Sequence, residues 1–363
     1  MAKEHEEASS RWRELAVIVL VAVAVVVVAD LGLARLSPPK YVREVQDGMR
    51  DYETEDPTVL VIGSSHARTF GVMNGITRER TAGRVRILDI PLESGKFRSY
   101  EWVIEHRVKP LLEEKQGGAL KRPSLTHFVL LTAWWDATWY EGDPPNFNLP
   151  SRAWTFREFV ESVSRDGVND YSRNYVTSRW LDLWHGSVLT SDRGHGHVVT
   201  AARERFLPLS EQARKAQYDF KLGNWRALMD RGATGIGHPE ELAAAERILA
   251  WAQARGYDTT LMLYPMMPVT VTEAGRKTVQ EPFQAMMKDL AARRGVRFID
   301  ATFDHNVDDG DFQRDFDHLS PAGHKKFSEW LLDGQMRFLL EPAPSAAGGP
   351  AKPVPAASQG GAP

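Results

Sequence analysis

Five short apolar runs, separated by stretches with a helical pattern, constrain the fold of this chain more than any other feature. The runs are apolar nearly throughout and rich in β-branched residues, as expected for strands covered on both faces. In chain order they are TVLVIG (58–63), RVRILDI (84–90), THFVLLT (126–132), DTTLMLY (258–264) and VRFIDA (296–301). Strands that alternate with helices pair in parallel through right-handed crossovers. The sequence therefore predicts an α/β fold, a three-layer sandwich around a five-stranded parallel sheet.

Helical patterns fill the intervals between these runs. The pattern at 239–256 begins with a proline and stops at a glycine, which is the usual asymmetry of helix ends. The patterns at 280–295 and 320–340 fit the last crossover and a helix that closes the domain. The pattern at 99–115 contains Pro110, which we expect to kink or break that helix.

A long interval after the third run breaks this rhythm. Residues 134–238 contain seven of the eleven tryptophans and several turn-rich pieces. An interruption of this length is too long for a simple loop. We therefore expect an insertion within a domain that spans 41–341, mostly helical and folded as a cap over one end of the sheet. Two roles stay open: the insertion extends the core, or it lines a substrate groove.

The N-terminus contains an unbroken apolar run, LAVIVLVAVAVVVVA, at 15–29, which 31–36 extends past Asp30. As a helix, 15–36 would span roughly 33 Å at 1.5 Å per residue, enough to cross a bilayer core. We interpret it as an uncleaved single-pass transmembrane helix, a signal-anchor. Residues 1–14 would then be cytoplasmic and the folded domain extracytoplasmic, on the periplasmic side. The alternative is a cleaved signal peptide.

Composition excludes several classes of function. A formal charge of −3 does not favour nucleic acid as a partner. Without cysteine, the chain has neither disulfides nor thiolate metal sites. There is no phosphate-binding loop, dinucleotide fingerprint or zinc-ligand pair, and we interpret His195 and His197 as part of a glycine-rich turn, so no metal or cofactor is expected.

Residues 342–363, rich in proline, alanine and glycine, are predicted to form a disordered tail.

Two serines, Ser64 and Ser65, follow the first predicted strand in the segment VLVIGSSHARTF at 59–70. In a parallel sheet, reactive groups collect where strands end and helices begin. A serine at that corner lies beside the first N–H groups of a helix, which have no partner within the helix and can hold a developing oxyanion. The alternative is that one of the two serines simply caps the helix.

A second polar block, RDFDHLSPAGHKKF, lies near the C-terminal end of the domain. Asp315 and His318 are three residues apart, just before a helix with Ser320 as its cap and Pro321 at its first position. An aspartate there can accept a hydrogen bond from the histidine ring, which leaves the other ring nitrogen to take a serine proton. The alternative is that Asp315 and Asp317 are ordinary turn residues and His318 is a loop histidine.

Together the two blocks resemble the SGNH, or GDSL-like, hydrolase superfamily, whose members carry G-x-S after the first strand and D-x-x-H near the C-terminus. The resemblance covers about 59–340 and implies the flavodoxin-like five-stranded fold of that family. It implies Ser65 as nucleophile and oxyanion donor, His318 as general base and then general acid, and Asp315 as the orienting carboxylate. Asp317 is the less favoured acid.

The middle blocks of the family match less well. Gly95, in PLESGKF, fits the glycine that follows the second strand and donates to the oxyanion. Where the family has an asparagine after the third strand, this chain has Trp134 or Trp135, and we expect both tryptophans to bind substrate. This departure resembles the membrane-anchored acyltransferase and esterase branch, which includes the D-alanyl transfer protein and relatives of alginate O-acetyltransferases.

The resemblance implies acyl transfer or ester hydrolysis on an extracytoplasmic polysaccharide of the cell envelope, through an acyl-serine intermediate. It also implies a polytopic membrane acyltransferase as the partner that supplies the acyl group. Two alternatives stay open. One is a plain carboxylesterase or deacetylase with the same triad, and the other is a non-catalytic polysaccharide-binding module that uses the tryptophan-rich insertion as a stacking surface.

Overall fold

A computed structural model describes most of the predicted domain and part of the N-terminal segment. The described residues are 12, 15–25, 27–28, 50, 54, 56–92, 95–113, 115–116, 119–120, 124–138, 154, 156–169, 171–177, 210–232 and 235–341. The strands and helices within these ranges form an α/β fold with three layers.

Five parallel strands form the central sheet. With two short strands of a separate hairpin, the strands are β1 Val59–Ser64, β2 Ile87–Leu92, β3 Lys115–Gln116, β4 Ala119–Leu120, β5 His127–Thr132, β6 Asp258–Leu263 and β7 Arg297–Asp300. The order in the sheet is β2-β1-β5-β6-β7, and every neighbouring pair is parallel. Counted without the antiparallel β3-β4 hairpin, this is the order 2-1-3-4-5. The predicted three-layer α/β fold with a five-stranded parallel sheet is confirmed.

Helices lie on both faces of this sheet. The α-helices are α1 Thr69–Arg80, α2 Phe97–Val103, α3 Lys109–Glu113, α4 Phe156–Asp166, α5 Glu211–Gly232, α6 Pro239–Ala254, α7 Glu273–Gly275, α8 Glu281–Arg294 and α9 Pro321–Asp333, and residues 171–177 are helical as well. Shorter 3₁₀ or π turns lie at Ser65–Arg68, Ile104–Val108, Trp134–Ala137, Pro268–Thr270, Arg276–Gln280, Asp309–Asp311 and Arg337–Leu339. Helices α1 and α9 pack together on one face, while α2, α6 and α8 cover the other.

Burial on both faces explains why the strands are apolar throughout rather than alternating. In β1, Leu60 and Ile62 belong to the core cluster under α2, α6 and α8, whereas Val59 and Val61 belong to the cluster under α1 and α9. Every residue of this strand is buried. Reactive polar side chains must therefore emerge at the end of the strand rather than along it.

Pro110 perturbs its helix without ending it. The chain passes from α2 into a π turn at Ile104–Val108 and continues as α3, which contains the proline. Proline has no N–H to donate and its ring clashes with the preceding turn, so wider winding directly before it relieves the conflict.

The predicted insertion and termini are described only in part. Within 134–238 the longer described segments are helical, namely α4, residues 171–177 and α5. Residues 15–25 and 27–28 of the predicted anchor are helical too, and its other positions, like the tail 342–363, lie outside the described residues. None of the helices within the described ranges has both the length and the apolar composition needed to cross a bilayer.

Candidate active site

The carboxyl end of β1 positions two serines at the edge of the sheet. Ser64 is the last residue of the strand, and Ser65 begins the 3₁₀ turn that leads into α1. Gly63, just before them, lies so close to β5 that a Cβ would approach the carbonyl oxygen of Leu131 to 2.8 Å. Only glycine fits there, because no side-chain carbon tolerates such a backbone contact. This close approach fixes the corner that carries the serines.

Ser65, His318 and Asp315 form one hydrogen-bonded chain. The Ser65 hydroxyl lies 2.6 Å from Nε2 of His318, and Nδ1 of the same ring lies 2.9 Å from Oδ2 of Asp315. Ser65 is buried, with 5 % of its surface exposed. Folding therefore brings together three residues that lie in two distant blocks of the sequence and that the resemblance indicated. Their catalytic roles stay a prediction.

A tight turn before α9 sets the geometry of the acid and the histidine. The Oδ1 atom of Asp315 accepts hydrogen bonds from the main-chain N–H groups of Asp317 (3.1 Å) and His318 (3.0 Å). Phe316, between Asp315 and Asp317, adopts the left-handed conformation, with φ of 68°. Ser320 then caps α9, because its side chain accepts the N–H of Gly323 at 3.1 Å. The aspartate side chain thus holds its own turn and orients the ring at the same time.

These contacts shift the ionisation of both groups. Burial opposes the charged form of His318, but the hydrogen bond to Asp315 and the charges of Asp317 and Asp315 outweigh it and raise the pKa above 6.5. Burial likewise opposes ionisation of Asp315, yet the hydrogen bonds from the side chain and backbone of His318 and from the backbone of Asp317 lower its pKa to about 2. A carboxylate that stays ionised beside a basic imidazole suits proton transfer from the serine.

A second serine–histidine–aspartate chain lies directly beside the first. The Ser64 hydroxyl lies 2.8 Å from Nδ1 of His66, and Nε2 of His66 lies 2.9 Å from Oδ1 of Asp317. His66 is 1 % exposed and Ser64 is 2 % exposed. Ser64 makes no side-chain cap to the following turn, so helix capping does not explain this serine. The other oxygen of Asp317 lies 3.8 Å from Nδ1 of His318, which joins the two chains.

Groups from the end of β6, α1 and α9 surround this cluster, with Tyr264 directly after the strand. The ring of Tyr264 stacks on His66 with centroids 3.9 Å apart, and its hydroxyl accepts the N–H of Leu319 at 3.3 Å. Thr69 lies 2.8 Å from Nδ1 of His324. Burial, together with the nearby charges of other groups, lowers the pKa of His324 to about 4. His324 therefore faces the site rather than the open surface of its helix.

An aromatic pocket adjoins the cluster. Its lining is contributed by Ala133, Trp135, Trp225, Tyr264, Pro265, Met266, Met267, Thr270, Phe316 and Asp317. Trp135 lies 5.0 Å from the ring of His66 and 6.0 Å from that of Trp225. Trp134, in contrast, is buried in the core with 1 % of its surface exposed. Of the two tryptophans predicted to bind substrate, only Trp135 borders this pocket.

Helix α5 connects the predicted insertion to the site. Its Trp225 borders the pocket and donates from Nε1 to the main-chain carbonyl of Asp315 at 2.5 Å. Its Tyr218 packs edge-on against Phe316, with centroids 4.8 Å apart. This described part of the insertion therefore supports the turn that bears Asp315 and lines part of the pocket, and its role toward a substrate stays a prediction.

Gly95, the predicted oxyanion donor, already uses its N–H. It donates to the carbonyl of Leu92 at 2.8 Å, and the Gly95 carbonyl accepts the hydroxyl of Tyr100 at 3.0 Å. An added Cβ would lie 2.6 Å from the Tyr100 ring, which explains the glycine by packing alone. An oxyanion role would require the bond to Leu92 to break, and that role stays a prediction.

The turn after β5, where the family has an asparagine and this chain has Trp134 or Trp135, also buries a carboxyl group. Asp136 accepts the N–H of Ala133 at 3.0 Å and has no exposed surface. Burial raises its pKa to about 8, although the hydrogen bond from the main-chain N–H of Ala133 partly offsets that effect. At neutral pH this acid is mainly protonated.

Three residues of the cluster also have the chemistry of metal ligands. His66, Asp317 and His318 each offer one ligand atom, and these atoms lie within 4.8 Å of one another. The same nitrogens are engaged with Asp317, Asp315 and the two serines. The geometry is therefore that of a hydrogen-bond network. The pair His195 and His197 lies outside the described residues.

Sequence reasoning missed the pairing of His66 with Asp317 and the contribution of Trp225. His66 follows the serines and Asp317 precedes His318, so adjacency to the motif was the available signal for both. For Trp225 there was none, because nothing in the pattern of the insertion shows which helix face meets the sheet.

The fold and the site define a class: an α/β protein with a buried Ser65–His318 hydrogen bond and adjoining carboxylates, the Ser-His-Asp arrangement that many hydrolases use. No family model matches the chain, and no curated protein matches it.

Proposed function

We propose that this protein is a serine-dependent acyl-transfer enzyme, of the SGNH type, that forms an acyl-serine on Ser65. The observation that carries the proposal is the continuous hydrogen-bonded chain from Ser65 through His318 to Asp315 at the carboxyl edge of the sheet. A protonated serine hydroxyl is a weak nucleophile, and such a chain activates it because the histidine can take up the proton. The raised pKa of His318 and the lowered pKa of Asp315 agree with that role.

Acylation begins when the Ser65 oxygen attacks the carbonyl carbon of an ester. Its proton passes to Nε2 of His318, and Asp315 stabilises the imidazolium that results. The tetrahedral intermediate collapses, the leaving alcohol takes the proton from His318, and the acyl group remains on Ser65. The main-chain N–H of Ser65, at the start of its turn, is the donor we assign to the oxyanion.

Deacylation reverses these roles. An incoming hydroxyl gives its proton to His318, and its oxygen attacks the acyl-serine carbonyl. Ser65 then leaves with the proton that His318 returns. The incoming hydroxyl belongs to water in hydrolysis and to a sugar in transfer, so one site supports either reaction.

The proposed acceptor is a saccharide of the cell envelope, reached from a membrane anchor. Aromatic rings that border the pocket, Trp135 and Trp225, are suited to stack on a sugar ring.

The helical residues 15–25 are apolar and exposed on every side, as Ile18 and Leu20 show with 64 % and 69 % of their surfaces exposed. A helix that is apolar all round favours an apolar surrounding. We propose that 15–36 anchors the domain on the extracytoplasmic side, beside a polytopic acyltransferase that supplies acyl groups.

Turnover of a chromogenic acetyl ester tests the proposal. Ser65→Ala should lower kcat by at least about 10³-fold, because it removes the nucleophile. The matched control is Ser64→Ala, which alters the neighbouring serine and should keep the greater part of the activity. Equal activity of wild type and Ser65→Ala would exclude the acyl-serine route.

A second assay separates transfer from hydrolysis and from binding alone. Oligosaccharide acceptors are added to the acetyl-ester reaction, and acetylated product is measured by mass spectrometry. Transfer predicts acetylated saccharide that disappears in Ser65→Ala. Acetate alone favours the esterase or deacetylase. Saccharide binding that is lost in Trp135→Ala and retained in Ser65→Ala, without turnover, favours the binding module.

A further inference from the structure

The second serine–histidine–aspartate chain is the strongest feature that the proposed reaction does not use. His66 is closed to a substrate, because 1 % of the residue is exposed, whereas 19 % of the His318 side chain is exposed. The second chain is therefore placed to act on the neighbouring His318 rather than on a substrate.

We propose that His66 and Asp317 are positioning residues that hold a second negative charge beside His318. The inference deepens the proposed function and rests on it. Asp317 shares its two oxygens between the histidines: Oδ1 lies 2.9 Å from Nε2 of His66 and Oδ2 lies 3.8 Å from Nδ1 of His318. At 3.8 Å the carboxylate is beyond hydrogen-bond distance from His318, so it acts on that ring through its charge.

His66 fixes the carboxylate in that position. A carboxylate only accepts hydrogen bonds, so Nε2 of His66 is the donor whatever the charge of the ring. Stacking on Tyr264 at 3.9 Å holds the plane of the ring. Without this donor, Asp317 would be free to turn toward Nδ1 of His318 and compete with Asp315 for it. The pair therefore keeps Asp315 as the hydrogen-bonding acid while a second charge stabilises the imidazolium.

The charged and titratable groups that face His318 come from four elements. Asp315 and Asp317 lie on its own turn, His66 and Arg68 on the turn after β1, His324 on α9 and Tyr264 after β6. Of these, the two aspartates are the groups that favour the charged ring. Removing the charge of Asp317 must therefore favour neutral His318.

Titration of His318 by ¹⁵N NMR tests the inference in a common Ser65→Ala background. The catalytically silent background makes the measurement independent of turnover. Asp317→Asn should move the His318 midpoint to lower pH by about one unit. Asp317→Glu keeps the charge and should restore the shift largely. The control Asp333→Asn removes a carboxylate of α9 that pairs with Arg80 on the surface, and it should leave the midpoint unchanged.

The role of His66 is tested by non-additivity. His66→Phe keeps a ring on Tyr264 but removes the donor to Asp317, and it should shift the midpoint on its own but add little in Asp317→Asn. An Asp317→Asn midpoint within about 0.2 units of the parent, or full additivity of the two changes, would overturn the inference. Should Asp317→Asn fail to fold, Asp317→Ser removes the same charge.

With Ser65 restored, the pH profile of kcat/KM separates this inference from the proposed function. The acid limb should move to lower pH in Asp317→Asn in parallel with the NMR midpoint, because the ionisation of His318 sets both. Absence of turnover in wild type contradicts the proposed function but leaves the NMR test of the pair intact. Turnover with an unmoved midpoint contradicts the pair alone.

Discussion

Trp225 donates a hydrogen bond of 2.5 Å from its indole nitrogen to the main-chain carbonyl of Asp315, so a helix of the insertion holds the turn that carries the proposed acid. The turn contains Phe316 in the left-handed region, a conformation that costs about 1 kcal/mol or more for a residue other than glycine. Packing of Tyr218 on the Phe316 ring stabilises the same turn. Helix α5 thus helps to hold the turn that carries Asp315.

Replacement of Trp225 by phenylalanine should therefore lower kcat. The change keeps an aromatic ring at the pocket and removes a hydrogen bond worth about 1 kcal/mol, so we expect a fall of roughly fivefold. The control is Phe220→Leu on the same helix, whose side chain is 70 % exposed. Ester turnover measured for both variants checks this, and equal losses in the two would show that the helix acts only through general stability.

The pH dependence of kcat/KM should report His318. As a base it must be neutral, so activity falls as the pH drops through its pKa, which is raised above 6.5. Asp315, with a pKa of about 2, stays ionised across this range. Asp315→Asn removes one charge and weakens the hydrogen bond to the ring, so the limb moves to lower pH and kcat falls by about 10²–10⁴-fold. A profile of Asp315→Asn that superimposes on that of wild type would contradict this assignment of the acid.

Stability should depend on pH through His324. Its pKa is lowered to about 4 in the folded protein, so the unfolded chain binds a proton between pH 6.5 and 4 that the native state does not. The contribution is present above pH 6.5 and is lost as the pH falls through 4. His324→Gln, whose amide can still form a hydrogen bond with the Thr69 hydroxyl, removes this titration. The difference in unfolding free energy between the two proteins, measured by urea denaturation, should shrink toward acid pH.

Wild type must be compared with His324→Gln, because Asp136 affects the pH dependence of stability in the opposite direction. Its pKa is raised to about 8, so its contribution is present below pH 3.8 and is lost as the pH rises through 8. Asp136 contributes equally to wild type and His324→Gln, so its contribution cancels in the difference between their unfolding free energies. A difference that stays constant from pH 7 to pH 4 would contradict the prediction for His324.

Two glycines should respond in opposite directions to alanine. A Cβ at Gly323 would lie 2.1 Å from the carbonyl oxygen of Asp311, so Gly323→Ala should destabilise the fold by about 2–4 kcal/mol through the start of α9. A Cβ at Gly75, within α1, meets nothing within 4 Å, and Gly75→Ala should stabilise by about 0.5–1 kcal/mol. Thermal and urea unfolding check both, and a stable Gly323→Ala would show that α9 moves away from Asp311.

The apolar runs were sufficient to predict the sheet, whereas the contact between Ser65 and His318 was expected from the resemblance of the two polar blocks to a known family. Apolar runs on both faces define buried parallel strands, and such strands bring their carboxyl ends to one edge. The D-x-x-H spacing places Asp315 and His318 on one turn. Ser65 and His318, which are 253 residues apart, therefore reach the same edge of the sheet, and the resemblance indicated that their side chains meet there.

Pairings that depend on side-chain packing lay beyond the sequence. His66 and Asp317 are 251 residues apart and belong to no spacing rule, although each adjoins a motif residue. The N–H of Gly95 donates to the main-chain carbonyl of Leu92, and the residue types in that turn do not predict this hydrogen bond. Trp134 and Trp135 are neighbours in sequence, yet one is buried in the core and the other borders the pocket.

Covalent labelling with a fluorophosphonate is the sharpest test of an acyl-serine on Ser65, because the probe reacts with an activated serine and the modified peptide can be identified by mass spectrometry. We expect an adduct on Ser65 in wild type and in Ser64→Ala, and none in His318→Gln. A folded wild-type protein that remains unlabelled at Ser65, or carries the adduct on Ser64, would contradict this expectation.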